Sequence, residues 1–366
     1  MRLLVAAVAC LHAVAVEVAL FDCESRAAVL VPAFDVGPAE ALATLLPDLS
    51  AAAGGLWPPN MISAETAVSE AKVRALVGAL PLPLPTTPAR ERALDLTARA
   101  LTGEALGTRA VLMDSSGATR PATAYEMYAG TVWPEIGFTM VGEAALVQLR
   151  HAVETVILEG IPGDIIECGV WRGGASIFAM ALLDDAGDTA RRVWLLDSFD
   201  GLPRASHFAD GGDFWSEMAY LRVSQPEVEA NVRSFLGPSS PAAARAVYRK
   251  GYFNESAAAV EATFSILRLN GDMFTSYLDC LFALYPKLSP GGYVICDDCT
   301  IGEAMSAVLT FRALHGIDQH PDEGLETLGL RLHWRKRREV AMHSELWPPG
   351  DRDLPFVIGS RGHVEH

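Results

Sequence analysis

From Gly163 onward, short apolar runs alternate with longer segments in which apolar residues recur at helical spacing. Each run ends in or close to Gly, Asp or Pro, as parallel strands joined by crossover helices do. Some runs, such as Val193–Leu196, are continuously apolar, which is typical of strands covered by helices on both faces. The pattern predicts an α/β fold with a doubly wound, mostly parallel sheet. The candidate strands are Asp164–Cys168, Arg192–Asp197, Ala246–Lys250, Phe264–Leu269, Gly292–Asp297 and Gly329–Trp334.

The first ninety residues are rich in Ala and Leu and contain no cluster of side chains suited to chemistry. The segment Leu80–Pro88, with the sequence LPLPLPTTP, predicts an extended linker stiffened by proline. A helical pattern covers Ala64–Leu80, and Thr87 is placed to cap a second helix running from Pro88 to about Leu101. We therefore divide the chain into residues 1–22, an extension of unknown role (23–90), a main domain (91–337) and a C-terminal tail (338–366).

Residues 1–22 resemble a secretory signal, because Arg2 precedes the uncharged run Leu3–Val16 and small residues follow Leu11. The run is shorter than the roughly 18 apolar residues that indicate a membrane-spanning helix. We therefore expect a segment that is removed or loosely anchored, and no stable membrane span. Two alternatives remain open: a start site assigned too far upstream, and an apolar N-terminal helix in a cytoplasmic protein.

The composition and net charge of the chain limit the kinds of molecule that it can bind. The chain has 366 residues, half of them hydrophobic, and 29 basic against 45 acidic side chains give a formal charge of −16. Because this charge repels a phosphate backbone and no long basic stripe appears, we expect no nucleic-acid partner. Six cysteines form no paired zinc pattern, and we interpret them as buried thiols. Three of them, Cys168, Cys296 and Cys299, lie near predicted strand ends where we expect a ligand, and this argues against an oxidising compartment.

Two features at predicted strand ends are suited to binding a ligand. After the first strand comes ECGVWRGGAS (Glu167–Ser176), whose glycines let the backbone approach a ligand and whose following helix, Ala175–Leu183, presents its amide end. The turn lacks the spacing of a dinucleotide or phosphate-binding loop, so a purely structural turn stays open. After the second strand, Asp197 can accept hydrogen bonds from ribose hydroxyls, or it can merely cap the next turn.

A third constellation joins the ends of two later strands. Asn270 follows the fourth strand, and Asp297 and Asp298 follow the fifth. An amide oxygen and two carboxylates are hard oxygen ligands of the kind that Mg²⁺ prefers. The alternative is that the two aspartates cap a helix starting near Gly302.

At these residues the sequence resembles the macrocin and mycinamicin sugar O-methyltransferases, the TylF/MycF-type family. The resemblance covers about Arg92–Arg337. It implies a Rossmann-like class I fold and an enzyme that uses S-adenosylmethionine and Mg²⁺. The strings that carry it are FTMVG (138–142), GIPGDIIECGVWRGGA (160–175), VWLLDSFDGLP (193–203), LYPKLSPGGYVICDD (284–298) and FRALHGI (311–317).

The resemblance also implies roles for single residues. Thr139 and Met140 correspond to a segment that closes over the cofactor. Glu167, Gly169 and Gly173 correspond to the turn under its methionine part, Asp197 to the ribose acid, and Ser198 and Phe199 to the border of the adenosine. Asn270, Asp297 and Asp298 correspond to the three metal positions.

The sequence departs from the family at two places. The family has Asp where this chain has Asn270, so a metal would be held with one negative charge fewer, and an amide cannot serve as a base. Asparagine remains an oxygen donor, and the catechol methyltransferases are similar in using two aspartates and one asparagine around Mg²⁺, so survival of the metal site stays open. We take Asp272 and Asp297 as the candidate catalytic residues, with Asp272 as the nearest alternative base. The family's LHAY string is also missing, and this region reads WSEMAY (Trp215–Tyr220), so the identity of the acceptor does not carry over.

The expected reaction is a single displacement in which an acceptor hydroxyl, on a sugar or another diol-bearing small molecule, attacks the methyl group of the sulfonium cofactor. With Mg²⁺ acidifying that hydroxyl, chelation by EDTA is expected to abolish transfer. A catalytically degenerate module that only binds S-adenosylmethionine is the main alternative, and a nicotinamide-dependent dehydrogenase is a weaker one. The resemblance is compatible with a homo-oligomer.

Overall fold

The computed structural model describes residues 3–7, 17–22, 27–32, 70–113, 119–298, 301–328, 331–348, 354, 357–358 and 364–365. Most of the signal-like run, most of the N-terminal extension and the cysteines Cys10, Cys23 and Cys299 lie outside them. Within the described residues, no helix combines the length and apolar character needed to cross a bilayer. The predictions about a signal and a compartment therefore stay predictions.

The strands are distributed over four sheets. Their bounds are β1 (Leu3–Ala7), β2 (Glu17–Asp22), β3 (Ala27–Pro32), β4 (Ala110–Met113), β5 (Thr119–Pro121), β6 (Trp133–Pro134), β7 (Asp164–Cys168), β8 (Val193–Asp197), β9 (Ala246–Lys250), β10 (Phe264–Leu269), β11 (Leu288–Cys296), β12 (Glu326–Leu328), β13 (Arg331–Arg335), β14 (Val357–Ile358) and β15 (Val364–Glu365). The α-helices are α1 (Glu70–Gly78), α2 (Pro88–Leu101), α3 (Ala124–Ala129), α4 (Glu143–Leu158), α5 (Gly174–Asp185), α6 (Gln225–Leu236), α7 (Phe253–Ser256), α8 (Phe274–Leu284) and α9 (Gly302–Leu314).

The main sheet has seven strands in the order β12-β13-β11-β10-β7-β8-β9. The five strands from β11 to β9 are parallel, whereas β13 and β12 pair antiparallel at one edge. Neighbouring residues of β7 point to opposite faces, so Ile165 packs with α2, α4 and α5 while Ile166 packs with α8 and α9. The prediction of an α/β fold with a mostly parallel, doubly wound sheet is confirmed.

Three of the six predicted strands, β7, β9 and β10, agree with the prediction at both ends, and β8 begins one residue later than expected. The strand predicted at Gly292–Asp297 begins earlier, at Leu288, because Leu288 pairs with Phe264 of β10. The strand predicted at Gly329–Trp334 is described at Arg331–Arg335, and its place among the parallel strands was wrong. It closely follows β12, so the two pair as an antiparallel hairpin with no room for a crossover helix.

The helix predicted after the linker has the expected bounds and cap. Thr87 has extended backbone angles, its Oγ1 accepts a hydrogen bond from the N–H of Arg90 at 3.2 Å, and Pro88 occupies the first turn. Of the pattern predicted at Ala64–Leu80, the described part is α1. The division into an extension, a domain and a tail stays a prediction.

Segments outside the predicted main domain pack on its helices. Val73 and Val77 of α1 are buried beside Ala144 of α4. Trp347 and Val357, from the predicted tail, belong to the core cluster around α8 and α9. The cysteines Cys168, Cys280 and Cys296 are buried, as we expected.

Candidate active site

A cavity of about 870 Å³ opens where the parallel strands β7, β8, β10 and β11 end. Parallel strands place their carboxyl ends at one edge, which is where ligands of open α/β sheets bind. Backbone hydrogen bonds hold these ends together, because Gly169 N–H donates to Leu196 O at 2.8 Å, and Asn270 N–H and Asp297 N–H donate to Cys168 O and Leu269 O, both at 2.9 Å. The predicted site residues therefore meet at one place.

The glycine-rich turn after β7 forms one wall of the cavity. Gly169 has a φ of 85°, and a Cβ atom there would lie 1.8 Å from the backbone oxygen of Asn270. Glu167 is buried below the turn, where its two carboxylate oxygens contact Arg268 and the hydroxyl of Ser176. Burial raises the pKa of Glu167, against the opposing effects of Arg268 and Ser176. Glycine is required at this turn because two strand ends touch through its backbone.

The first amide of the helix that follows the turn is bonded to a neighbouring segment of the chain. The segment Phe138–Met140 lies over the turn, and Gly174 N–H donates to Phe138 O at 2.7 Å. Thr139 is buried, and both Thr139 and Met140 line the cavity. The expectation that the amide end of this helix meets a ligand stays a prediction. The segment that covers the turn supplies part of the cavity wall.

Asp197, at the end of β8, connects its own turn to the glycine-rich turn. Its Oδ2 accepts hydrogen bonds from the N–H groups of Val170 at 2.8 Å and Trp171 at 3.4 Å, and its Oδ1 accepts one from Phe199 at 2.8 Å. Burial raises the pKa of Asp197, and these N–H groups oppose the rise. Asp197 therefore both caps its turn and lies on the cavity wall, so the two interpretations of this residue do not exclude each other.

Asn270, Asp297 and Asp298 meet at the ends of β10 and β11, as predicted. Helix α9 begins at Gly302 without a side-chain cap, so the alternative that these aspartates cap it is wrong. Asp298 Oδ2 accepts hydrogen bonds from Tyr277 Oη at 3.0 Å and from Asp272 N–H at 3.1 Å. Burial and the neighbouring Asp297 raise the pKa of Asp298 to about 7.

The three acids of this cluster have different electrostatic surroundings. Burial raises the pKa of Asp272 well above its usual value, and Asp298 and Asp297 raise it further. Asp297 is also buried, but the charges of Arg331 and Arg268 keep its pKa below the usual range. Asp272 therefore binds a proton more readily than an ordinary aspartate, whereas the two guanidinium groups favour the ionised form of Asp297.

Each of the three residues predicted to hold Mg²⁺ makes at least one contact with a protein group, and the contacts of Asp297 are with cations. Asp297 Oδ1 contacts the guanidinium of Arg331 and lies 3.0 Å from Nη2 of Arg268, and Asn270 donates its amide N–H to Gly169 O at 3.2 Å. Within the part of the chain that the structure describes, no group of three or more His, Cys, Asp or Glu side chains is arranged to hold a metal ion. The two guanidinium groups at Asp297 do not fit a resident divalent cation, because they already supply the positive charge at this carboxylate.

Most of the predicted site residues line the cavity, and two do not. The two exceptions are Gly173, which precedes α5, and Phe199, which is 4% exposed with a φ of 52°. The predicted residues that line the cavity are Thr139, Met140, Glu167, Gly169, Asp197, Ser198, Asn270, Asp272, Asp297 and Asp298. Their roles toward a cofactor or acceptor stay predictions.

Several cavity residues were missed by the sequence analysis. Arg331 is the one charged residue in the mostly apolar strand predicted at Gly329–Trp334. This charge is the feature by which the sequence could have indicated a cavity residue. Phe214 and Tyr252 are exposed aromatic residues in loops, where no periodic pattern marks them. The cavity also reaches Arg120 and Tyr125, which lie before the predicted strands.

Comparison with known proteins places the chain among methyltransferases. The model of the macrocin O-methyltransferase family (TylF) matches residues 104–336. The chain is 40% identical, over 211 residues, to an 8-demethyl-8-(2,3-dimethoxy-alpha-L-rhamnosyl)-tetracenomycin-C 4'-O-methyltransferase of Streptomyces olivaceus, covering 56% of this chain and 78% of that protein. It is 34% identical, over 212 residues, to a mycinamicin III 3''-O-methyltransferase of Micromonospora griseorubida, covering 57% and 82%.

A solved structure agrees with this fold. The structure of the O-methyltransferase NovP superimposes with a TM-score of 0.59 and 29% sequence identity, covering 68% of this chain and 99% of that one. The predicted family is confirmed. This chain belongs to the macrocin O-methyltransferase family and is an O-methyltransferase.

Proposed function

We propose that this O-methyltransferase takes its methyl group from S-adenosylmethionine and transfers it to a sugar hydroxyl. The observation that carries the proposal is the convergence of the glycine-rich turn, Asp197 and the acids Asp272 and Asp298 around one cavity. Acids on the cavity wall favour a cationic ligand such as a sulfonium. The named activity of the S. olivaceus relative, on a rhamnosyl-substituted tetracenomycin, supports a sugar acceptor.

The cavity of about 870 Å³ lies toward the upper end of the roughly 300–1,000 Å³ that ligand sites occupy, and in the proposal the donor and the reacting part of the acceptor share it. We place the donor at Gly169 and Asp197 and the acceptor toward Phe214, Trp215 and Tyr252, which line the same cavity. Aromatic faces of this kind stack on rings and exclude water from a reacting hydroxyl. Thr139 and Met140 cover the donor side in this arrangement.

In the proposed reaction, the acceptor oxygen forms a bond to the methyl carbon while the bond from that carbon to sulfur breaks. The electron pair stays on sulfur, and the hydroxyl proton passes to the Asp272 carboxylate. Holding the two reactants in line supplies much of the rate, because effective molarities of about 10⁵ M or more are reachable by positioning. The proposal includes no magnesium ion, because Asp297 is already neutralised by two guanidinium groups.

The test is mass spectrometry of the purified protein incubated with S-adenosylmethionine and a panel of glycosides bearing vicinal hydroxyls. The proposal expects a product heavier by one methyl group and stoichiometric formation of S-adenosylhomocysteine. If calorimetry detects binding of S-adenosylmethionine but no glycoside is methylated, the degenerate binding module is favoured. Absence of binding contradicts both.

The role of Asp272 is tested by Asp272→Asn, a change that suits its φ of 57° because Asn tolerates this conformation. We expect kcat to fall by about 10²-fold or more, the usual loss on removing a general base, with binding of S-adenosylmethionine retained. Asp184→Asn, at an exposed position of α5, is the matched control and is expected to leave kcat unchanged. An unchanged kcat for Asp272→Asn would remove the residue from the mechanism.

A further inference from the structure

Arg331 occupies the part of the cavity in which the sequence predicts a divalent cation. It lies in β13, and the residue is 4% exposed. Its Nε contacts Asp297, its Nη1 donates to Ala129 O at 2.7 Å, and its Nη2 donates to Gly130 O at 3.3 Å. The group is therefore held from two sides while it faces the cavity.

A second guanidinium completes the charge balance around Asp297. Nη2 of Arg268 lies 3.0 Å from Asp297 Oδ1, and Nη1 of the same side chain contacts Glu167. Arg268 and Arg331 are both buried, and a guanidinium does not lose its proton in proteins. Two permanent positive charges thus lie at the carboxylate that would have to be the anionic centre of a magnesium site.

The remaining two donors make a poor site for Mg²⁺. Asn270 carries no charge, and the carboxylate of Asp298 is hydrogen-bonded by Tyr277 and by the N–H of Asp272. Mg²⁺ requires near-octahedral oxygen ligation at about 2.0–2.1 Å and loses its water reluctantly. An ion at this distance from Asp297 would lie against two guanidinium groups of the same sign. The neutral amide of Asn270 and the presence of Arg331 both lower the affinity for a cation compared with a site of three carboxylates.

We propose that Arg331 takes the place of the divalent cation in this protein, so that its methyl transfer needs no metal ion. The test of this proposal by methyl transfer rests on the proposed function, whereas its test by metal binding does not. In this arrangement the guanidinium pairs with Asp297 and supplies positive charge at the cavity wall, where negative charge develops on the acceptor oxygen. No metal-bound water or alkoxide takes part.

The first experiment uses the unmodified full chain. After dialysis against EDTA, methyl transfer to the best acceptor of the glycoside panel is compared with and without added Mg²⁺, and binding of Mn²⁺ is followed by electron paramagnetic resonance. We expect equal rates and no stoichiometric Mn²⁺ binding, with or without S-adenosylmethionine. Loss of activity with EDTA that Mg²⁺ restores, or one tightly bound Mn²⁺ per chain, would overturn the proposal. If no glycoside is methylated, the proposed function fails and the Mn²⁺ measurement still decides this inference.

The second experiment changes the arginine. Arg331→Met is expected to lower kcat/KM by at least about tenfold, equivalent to about 1.4 kcal/mol, and Arg331→Lys to lose less. Arg337→Met, at an exposed position near the end of the same strand, is the matched control and is expected to keep full activity. The double variant Asn270→Asp/Arg331→Met restores one carboxylate and removes one guanidinium, so we expect it to acquire Mn²⁺ binding. Full activity in a folded Arg331→Met variant contradicts the proposal, and if the variant is unfolded in a thermal melt the measurements on the unmodified chain decide.

Discussion

Gly169 has a backbone conformation that L side chains rarely adopt, and it also lies against another strand end. Its φ is 85°, and the nearest atom to an added Cβ is the backbone oxygen of Asn270, at 1.8 Å. The conformational cost alone is about 1–2 kcal/mol. A backbone atom cannot move aside as the end of a flexible side chain can, so the contact adds to this cost.

Gly169→Ala is therefore expected to lower the free energy of unfolding by more than those 1–2 kcal/mol and to weaken binding of S-adenosylmethionine. The matched control is Gly187→Ala, because Gly187 has a φ of 69° and nothing within 4 Å of the added Cβ. Urea unfolding and calorimetry of both variants measure the difference. Equal destabilisation by the two changes would show that the contact with Asn270 has no energetic weight.

His315 is a buried neutral histidine that makes the stability depend on pH. Its Nδ1 donates to Phe311 O at 2.7 Å, and its Nε2 accepts from His343 N–H at 3.2 Å, so both ring nitrogens are satisfied in the neutral form. Burial lowers its pKa to about 4 from 6.5. The unfolded chain therefore binds more protons between these two values, and the stabilisation is present above pH 6.5 and lost as the pH falls toward 4.

We expect the free energy of unfolding to fall by about 3 kcal/mol from this residue over that pH window. Urea unfolding at pH 7 and at pH 5 should show a smaller fall for His315→Leu than for the unmodified chain. His320→Leu, at a partly exposed position, is the control and should keep the fall of the unmodified chain. A His315→Leu variant with an unchanged pH dependence would contradict the assignment.

At the scale of the elements, an ion-pair network joins α2 to α4 and α5. Arg150 of α4 binds both carboxylate oxygens of Glu91, at 2.6 and 2.8 Å, and also contacts Glu154 at 2.8 Å. Arg90 bridges Glu154 to Asp185. Arg150 is the main cause that lowers the pKa of Glu91 to about 2. The network holds α2 against α4 and against α5, the helix that follows the glycine-rich turn.

Arg150→Met removes one cation of this network, so the carboxylates of Glu91 and Glu154 lose part of the positive charge that balances them. Breaking a buried ion pair in this way costs about 3–5 kcal/mol, so we expect a destabilisation near the lower end because Glu91 is partly exposed. Arg233→Met breaks the exposed pair of Arg233 with Glu229 and is expected to cost less than about 1 kcal/mol. Urea unfolding distinguishes the two, and similar losses would contradict a special role for the network.

At the scale of the whole molecule, the C-terminal segment is part of the main core. Trp347 is 6% exposed, stacks on Phe282 with ring centroids 6.0 Å apart, and donates its Nε1–H to Asp279 Oδ1 at 2.8 Å. Asp279 also lines the cavity. The segment that follows the sheet thus supports α8 from behind the site.

Trp347→Ala is expected to lower the free energy of unfolding by about 3–5 kcal/mol, as for other buried aromatic truncations. Trp347→Phe keeps the ring contact but loses the hydrogen bond, with an expected cost of about 1 kcal/mol. Leu158→Ala, at a position 60% exposed, is the control. If Trp347→Ala is no more destabilising than the control, the claim that this segment stabilises the core is wrong.

Local patterns were sufficient for the elements whose signals lie within a few residues of each other. The bounds of α2 follow from Thr87 and Pro88, and those of β7 and β10 follow from apolar runs that end at polar or glycine residues. The gathering of Asp197, Asn270 and Asp297 was also predictable, because parallel strands joined by crossovers place their carboxyl ends on one edge. These features depend on chain connectivity and on local preference.

The direction of β13, the covering of the turn by Phe138–Met140 and the position of Arg331 depend on pairing between distant segments. Leu332 pairs with Cys296 in an antiparallel register, which brings Arg331 beside Asp297 across 34 residues of sequence. Neither the amino-acid composition nor the hydrophobic periodicity carries information about that pairing register. The register is set by which strand is free at the edge of the sheet. The charge inside the cavity, and with it the choice between a metal ion and a guanidinium, was therefore decided by tertiary packing.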